Sequence, residues 1–228
     1  MHPIKKELKQ AFVASLPVMA GYVFLGMGFG IVLNSKGYGV PWALAMSVFI
    51  YAGSMQYVAI DLISGGAGLI VTALTTLAVN ARHLFYGISM VNKYKNVPKK
   101  PFLIFTLTDE TYSLVCRENK NVKNKENYYF WVSLFNYSYW VTGSVLGSLI
   151  GAVLPFSTEG IDFALTALFI TVFVEQWLST KDHLSAIIGV GASVFCLVVF
   201  GSEGFLIPAM LLITALLALT KRRADKNV

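Results

Sequence analysis

Charge is what this chain has least of. Asp, Glu, Lys and Arg make up 13% of its 228 residues, where a soluble domain carries about a quarter. The charges are also kept out of the apolar runs, and of 18 basic residues only Arg82 stands well inside one. Soluble-enzyme motifs are missing: there is no P-loop, no HExxH and no GxSxG. The three histidines, His2, His83 and His183, show no metal-ligand spacing, so the chain is read as a non-enzyme with no cofactor. Cysteine is equally scarce. Cys116 and Cys196 offer neither thiolate-ligand spacing nor a nearby partner, and they read as unpaired packing residues.

Apolar residues are abundant, at 56% with a mean hydropathy of +0.64. They gather in runs at about 10–34, 41–64, 66–91, 128–155, 162–180, 183–200 and 204–220. A run of about 20 residues spans the hydrocarbon core of a bilayer. The expected fold is therefore an all-α polytopic membrane protein, one integral domain over 1–228 with about seven transmembrane helices. The first run is too long for a signal-peptide core and lacks a small-x-small cleavage site, so it is read as retained. Phe102–Cys116 is shorter and interrupted by Thr106, Thr108, Asp109, Glu110 and Thr111, which suits a re-entrant or broken helix better than a span. The net charge of +6 lies in short loops beside the apolar runs, so it points to topology and lipid headgroups, not to nucleic acid.

Those basic residues suggest an orientation. Lys93, Lys95, Lys99 and Lys100 precede the short segment, Arg117, Lys120, Lys123 and Lys125 follow it, and Lys221, Arg222, Arg223 and Lys226 close the chain. The positive-inside rule puts all three groups in the cytoplasm and Glu159, Asp162 and Glu203 outside. Seven crossings then place the N-terminus outside, against the preference of Lys5, Lys6 and Lys9. Eight would bring it inside but expose the lysines at 93–100. A faint repeat aligns Leu44–Gln56 with Ala164–Gln176, sharing Phe49/Phe169, Ile50/Ile170 and Gln56/Gln176. Each copy follows glycine-spaced helix (Gly21, Gly26, Gly28, Gly30; Gly143, Gly147, Gly151), which suggests inverted halves at 10–117 and 128–220.

Three constellations could carry chemistry. Thr72, Thr76, Asn80, His83 and Gly87 are spaced by 4, 4, 3 and 4, an arc of about 80° on one helix face. That stripe either lines a hydrated path or bonds to a neighbouring helix. Arg82 points elsewhere, over Val79 and Tyr86, and a charge in this place faces a bundle interior or snorkels to the interface. In the second run, the small residues Ala52, Gly53 and Ser54 allow close approach or local unwinding beside Tyr51, and Gln56 needs a polar partner. Asp61 lies nearer the outer end and reads as interfacial, as does Glu175-Gln176. Asp109 and Glu110 form the third group. They are candidates to neutralise Arg82, bind a substrate ammonium, or carry a coupling proton.

Together these elements resemble a known family. Leu16-Pro17 with its glycines, Tyr51-Ala52-Gly53-Ser54-Met55-Gln56, Asn80-x-Arg82-His83-x-x-Tyr86-Gly87, Leu107-Thr108-Asp109-Glu110 and Asp162-Phe163-Ala164-Leu165 occur in this order. They resemble the AzlC family of branched-chain amino acid permeases, also called LIV-E exporters, over roughly residues 10–220. The chain departs from the pattern at Thr166, where a proline is expected; without it the helix has less reason to kink. The resemblance implies export of branched-chain amino acids, with methionine a further substrate, across a bacterial plasma membrane. It also implies the large subunit of a two-component system, paired with a small hydrophobic AzlD-type protein.

With no ATP-binding motif, a proton gradient is the expected driving force. The expected substrate contacts are Arg82 or a broken-helix N-terminus for the carboxylate and Asp109 or Glu110 for the ammonium. Tyr51, Phe85 and Tyr86 would form the pocket walls, with Gln56 and Asn80 adding polar contacts. His83, Asp109 or Glu110 would carry the proton. The alternative is the membrane subunit of an ATP-driven importer. It is disfavoured because the longest inner loop, about Arg117 to Asn127, is too short to dock an ATPase.

Overall fold

The computed structural model describes residues 3–95, 97–116, 122, 124–153, 170, 173–174, 177–178 and 183–225, with the side chains at 3–5, 82, 84–85, 202–203, 206–207, 210, 218 and 221–225 outside that set. Glu175, Gln176 and most of the second repeat copy also lie outside the described residues. The helices are α1 (Pro3–Ser35), α2 (Val40–Phe49), α3 (Gly53–Ser64), α4 (Leu69–Met90), α5 (Lys100–Phe105), α6 (Asp109–Val115), α7 (Lys125–Val153), α8 (Leu184–Gly204) and α9 (Leu206–Asp225). The fold is all-α, and no strand occurs among the described residues. The chain divides into two units: Met1–Gly68 with Val79–Leu165, and Leu69–Ala78 with Thr166–Val228.

In the first unit, α1 and α7 form the spine. Phe12 meets Phe135 edge-on at 5.5 Å, Ser15 lies 3.2 Å from the Tyr139 hydroxyl, Gly147 faces Met27 and Gly151 faces Ile31. The partner numbers rise together, so the two helices run parallel. Glycines at i and i+4 on both make the approach possible: Gly26 and Gly30 on α1, Gly143, Gly147 and Gly151 on α7. A Cβ added at Gly143 would stand 2.7 Å from the Val23 carbonyl oxygen, so only glycine lets the backbones touch here.

Two helical hairpins fill the space beside this spine. At the end of α1, Gly37 takes φ 87° and the Gly37 and Tyr38 N–H groups bond back to Asn34 and Leu33, which turns the chain into α2. Pro41 in the first turn of α2 suits a helix start. Running down α7, α2 brings the Val48 carbonyl to the Tyr137 hydroxyl at 3.0 Å. The chain then reverses at Ile50-Tyr51-Ala52. Gly53 packs against the Trp140 ring, and the Tyr57 hydroxyl donates to the Leu25 carbonyl at 2.7 Å, further along the spine toward its C-terminal end. Had α3 continued in the direction of α2, Tyr57 would stand about 15 Å beyond Tyr137 in the other direction.

The second hairpin, α5–α6, rises from the opposite end. Lys99 Nζ sits 3.4 Å over the Phe130 ring, Phe102 meets Phe130 at 5.8 Å, and Phe105 reaches Tyr137 at 6.3 Å. After the break at Thr106-Leu107-Thr108 the chain descends. Thr111 meets Asn136, and the Cys116 carbonyl accepts from Lys93, just past the end of α4. Each hairpin has its own core: Phe29, Leu33, Met46, Met55 and Ile60 around the first, and Met90, Tyr94, Leu103, Val115 and Val132 around the second.

This geometry corrects two expectations. The run 41–64 is not one helix: it breaks at 50–52, and α3 folds back beside α2 toward the C-terminal end of α1. The start of α1 is not opposite the loop before α7 but beside it, and the Glu7 carboxylate accepts from the Asn124 N–H at 3.4 Å. Lys5, Lys6 and Lys9 therefore share one end with Lys93, Lys95, Lys99, Lys100 and Lys125.

In the second unit, α8 and α9 pack on each other, and Gly201, at φ 73°, kinks α8 near its end. A groove of about 640 Å³ in this unit is lined by apolar residues including Phe173, Trp177, Ile187 and Val190, with no charged side chain to read a polar ligand. Among the described residues, Lys6–Ser35 and Leu184–Gly201 are the two helices whose length and apolar composition suffice to cross a membrane.

Candidate functional site

The tips of the two hairpins meet beside the middle of α1 and α7. The Tyr51 ring lies 6.1 Å from Phe105 and 4.9 Å from Tyr137, so one residue from each hairpin and one from α7 form an aromatic cluster. Tyr51 stands at the reversal with φ 44°, a left-handed conformation that costs a bulky residue about 1–3 kcal/mol. Its hydroxyl is buried and completes no hydrogen bond, a further cost of about 1–3 kcal/mol. Two unfavourable features at one residue point to use rather than to stability.

Next to Tyr51 lies a run of close oxygens. The Tyr22 hydroxyl, from α1, donates to Glu110 Oε2 at 2.6 Å and lies 2.6 Å from Thr108 Oγ1. Thr108 Oγ1 is 3.1 Å from Thr111 Oγ1, which accepts from Asn136 Nδ2 at 3.0 Å. Thr108 also caps α6, accepting from the Thr111 N–H. This is why the Thr108-Asp109-Glu110 order matters: the hydroxyl ends the break and the carboxylates fall in the first helical turn, where the backbone dipole favours negative charge. Tyr22 is held in place by Trp140, edge-on at 5.6 Å. Glu110 has electrostatic neighbours in both Tyr22 and Tyr51.

Gln56 is fully buried, its Nε2 bonded to Ser47 Oγ at 3.2 Å and its Oε1 accepting from Trp140 Nε1 at 2.9 Å. It ties α3 to α2 and both to α7. Asp109 shares the first turn of α6, with Oδ1 buried. On α4, His83 lies 6.1 Å from Tyr86, and Tyr86 stacks at 4.7 Å on Tyr112 of α6. Asn80 Oδ1 is buried without a hydrogen-bond partner. Arg82 and Phe85 belong to α4, but their side chains lie outside the described residues.

The structure thus brings Tyr51 and Glu110 together and sets Tyr86 against α6, with His83 beside Tyr86 on α4. Sequence reasoning missed Tyr22, Thr111 and Asn136. Asn136 carried a usable signal, as the sole amide in the run 128–153. Tyr22, one aromatic in an apolar helix, carried none.

Comparison with known proteins agrees with this framework. The model of the AzlC family, described as "AzlC protein", matches residues 17–154, from the middle of α1 to the end of α7. A Bacillus subtilis protein named branched-chain amino acid transport protein AzlC is 42% identical over 220 residues, covering 96% of this chain and 87% of the relative. The chain belongs to the AzlC family. Two further relatives resemble this AzlC chain. One is an uncharacterized membrane protein of Helicobacter pylori, 40% identical over 227 residues, 99% of this chain and 100% of the relative. The other, the inner membrane protein YgaZ of Escherichia coli, is 28% identical over 172 residues, 72% of this chain and 70% of the relative. No solved structure matches. The AzlC match encloses both hairpins, α7 and the second half of α1, so the segment matched to the family includes Tyr22, Tyr51 and Glu110.

Proposed function

We propose that this AzlC chain is a secondary-active exporter of branched-chain amino acids, proton-driven and multi-pass in the bacterial inner membrane. In this reading it is the large subunit of a two-component system with a small AzlD-type partner. The observation that carries it is the meeting of two hairpins that enter from opposite ends of the α1–α7 spine. A site at that meeting point can be uncovered from either side by movement of one hairpin, which is what alternating access requires. The shared end of the basic residues is the cytoplasmic one. The named Bacillus subtilis relative supports the substrate class.

An aliphatic zwitterion needs a cationic or helix N-terminal contact, an anionic contact and an apolar wall. Arg82 or the N-terminus of α3 takes the carboxylate, and Asp109 or Glu110 takes the ammonium. Tyr51, Phe85 and Tyr86 line the apolar side, with Asn80 a further polar contact and Gln56 holding the first hairpin in place. His83, Asp109 or Glu110 carries the proton.

The test is amino acid release from bacteria fed a leucine- or valine-containing dipeptide, with the chain expressed alone and with its small partner. Faster release of Leu or Val, abolished by a protonophore at maintained ATP, is expected. No release from a confirmed, membrane-inserted pair would overturn the reading.

A further inference from the structure

We propose that Glu110 is the exchange point of the transporter: its carboxylate, with the hydroxyls of Tyr22 and Tyr51, holds either the substrate's α-ammonium or a proton, one excluding the other. This rests on the amino acid export reading and says how substrate and proton would be coupled.

A primary ammonium presents three N–H donors and no acceptor, so it needs three oxygens at fixed positions. Glu110, Tyr22 and Tyr51 supply them at one place. Among the described side chains no cation neutralises Glu110, whose carboxylate accepts from the Tyr22 hydroxyl at 2.6 Å. The Tyr51 hydroxyl lies beside the Tyr22 hydroxyl and Glu110 but completes no hydrogen bond of ordinary geometry, and its residue is only 4% exposed. An acceptor left open next to a carboxylate matches a ligand that brings its own donors. Both tyrosines are immobilised by their rings, Tyr22 on Trp140 and Tyr51 between Phe105 and Tyr137. Their oxygens are thus fixed before any ligand arrives.

The hydrogen-bond chain also shows how a proton takes the same place. With Glu110 ionised, the single Tyr22 proton points to the carboxylate, and the 2.6 Å contact between Tyr22 and Thr108 needs the Thr108 proton. With Glu110 protonated, the acid proton points to Tyr22, the Tyr22 proton to Thr108 and the Thr108 proton to Thr111. The last of these is the direction in which Thr108 and Thr111 are aligned. The protonated chain is complete without a ligand; the ionised one leaves a carboxylate to be met by an ammonium. No atom is lost or gained: one proton leaves Glu110 to the aqueous path as one ammonium binds, and returns when it departs.

The groups facing Glu110 are Tyr22 on α1, Tyr51 on the first hairpin, and Asp109 on its own helix. On α7 they are Asn136 and Tyr137, the latter through Tyr51. From α4, His83 meets Tyr86, which stacks on Tyr112 of α6. Binding of the ammonium needs the ionised carboxylate, so a proton and leucine compete for the same oxygens and added acid weakens leucine binding.

The experiment is leucine binding to the purified full chain in nanodiscs between pH 5 and 8, with 2-hydroxy-4-methylpentanoate as the probe lacking the ammonium. Wild type should lose leucine affinity as the pH is lowered, by up to about tenfold per pH unit where one proton competes with one leucine. Glu110→Gln should bind leucine weakly with no pH dependence, and it should bind the hydroxy acid as well as wild type does. Tyr51→Phe, which keeps the ring and removes only the hydroxyl, should lose about tenfold in leucine affinity with the pH dependence intact. Leucine binding by wild type that is flat with pH, or pH-dependent binding retained in Glu110→Gln, would overturn the proposal while leaving amino acid export standing. So would pH dependence abolished by His83→Gln. Absence of leucine binding in wild type at every pH, together with no release from dipeptide-fed cells, would remove the export reading itself.

Discussion

Gly147→Leu should yield almost no folded protein. A Cβ at this position falls onto the backbone of Met27, and Gly143 and Gly151 on the same face of α7 are pressed against Val23 and Ile31. Overpacking a well-filled core ordinarily costs about 1–3 kcal/mol, through side chains that shift. Here the obstacle is backbone, so the helices must separate along their length. Small residues at i and i+4 are what allow two helices to associate closely in a membrane, and the spine has no other adhesive of that extent. Both hairpins lean on α7 through Trp140, Tyr137 and Asn136, so separation would dismantle the site as well. Size-exclusion of the detergent-solubilised protein should show aggregate or no material at all. Gly189→Leu is the control: a Cβ there meets nothing within 4 Å, and the variant should elute as wild type. A monodisperse Gly147→Leu protein would mean that α1 and α7 are not packed through this face.

Glu110→Gln should reduce proton-driven leucine export by about a hundredfold or more while leaving the protein folded. Removing one member of a desolvated, hydrogen-bonded charge pair costs about 2–5 kcal/mol in binding, and one 1.4 kcal/mol step is a factor of about ten. The glutamine amide keeps the size of the side chain and an oxygen for Tyr22, so the fold has little reason to change. It can neither ionise nor deliver a proton. Initial rates of export from dipeptide-loaded cells, normalised to membrane-inserted protein, give the number. Asp109→Asn separates the neighbours: full, pH-dependent export in that variant would take Asp109 out of the proton pathway and leave Glu110 in it. A Glu110→Gln protein exporting at wild-type rate would remove the carboxylate from the mechanism.

Much of this site was legible before the structure. The short segment gave itself away by length and by Thr108-Asp109-Glu110, because two carboxylates are not placed in an apolar run without a polar destination. Small residues at 52–54 marked a place where the second run could unwind, and the break falls at 50–52. Glycine spacing on α1 and α7 was visible, though not its purpose, since close approach depends on which partner helix arrives. The direction of α3 was hidden for a physical reason. A mainly apolar run of 24 residues makes either one span or a hairpin of two short helices with the same composition and periodicity. What decides between them is one backbone angle at Tyr51, in a region that no propensity assigns to tyrosine. Tyr22 was hidden for a different reason, since an aromatic in an apolar helix reads as packing until its hydroxyl is seen against Glu110.

The most direct test of the account is the sidedness of four single cysteines, introduced after Cys116 and Cys196 are replaced by serine. Lys36→Cys and Ser64→Cys flank the first hairpin; Lys6→Cys and Lys95→Cys lie at the other end of the spine. A membrane-impermeant thiol reagent added to intact cells should label positions 36 and 64 and spare 6 and 95 until the membrane is opened. Labelling of only one of 36 and 64 would mean that residues 41–64 cross the membrane. The two hairpins would then not meet from opposite sides, and the site built at their tips would lose its claim to be the point of exchange.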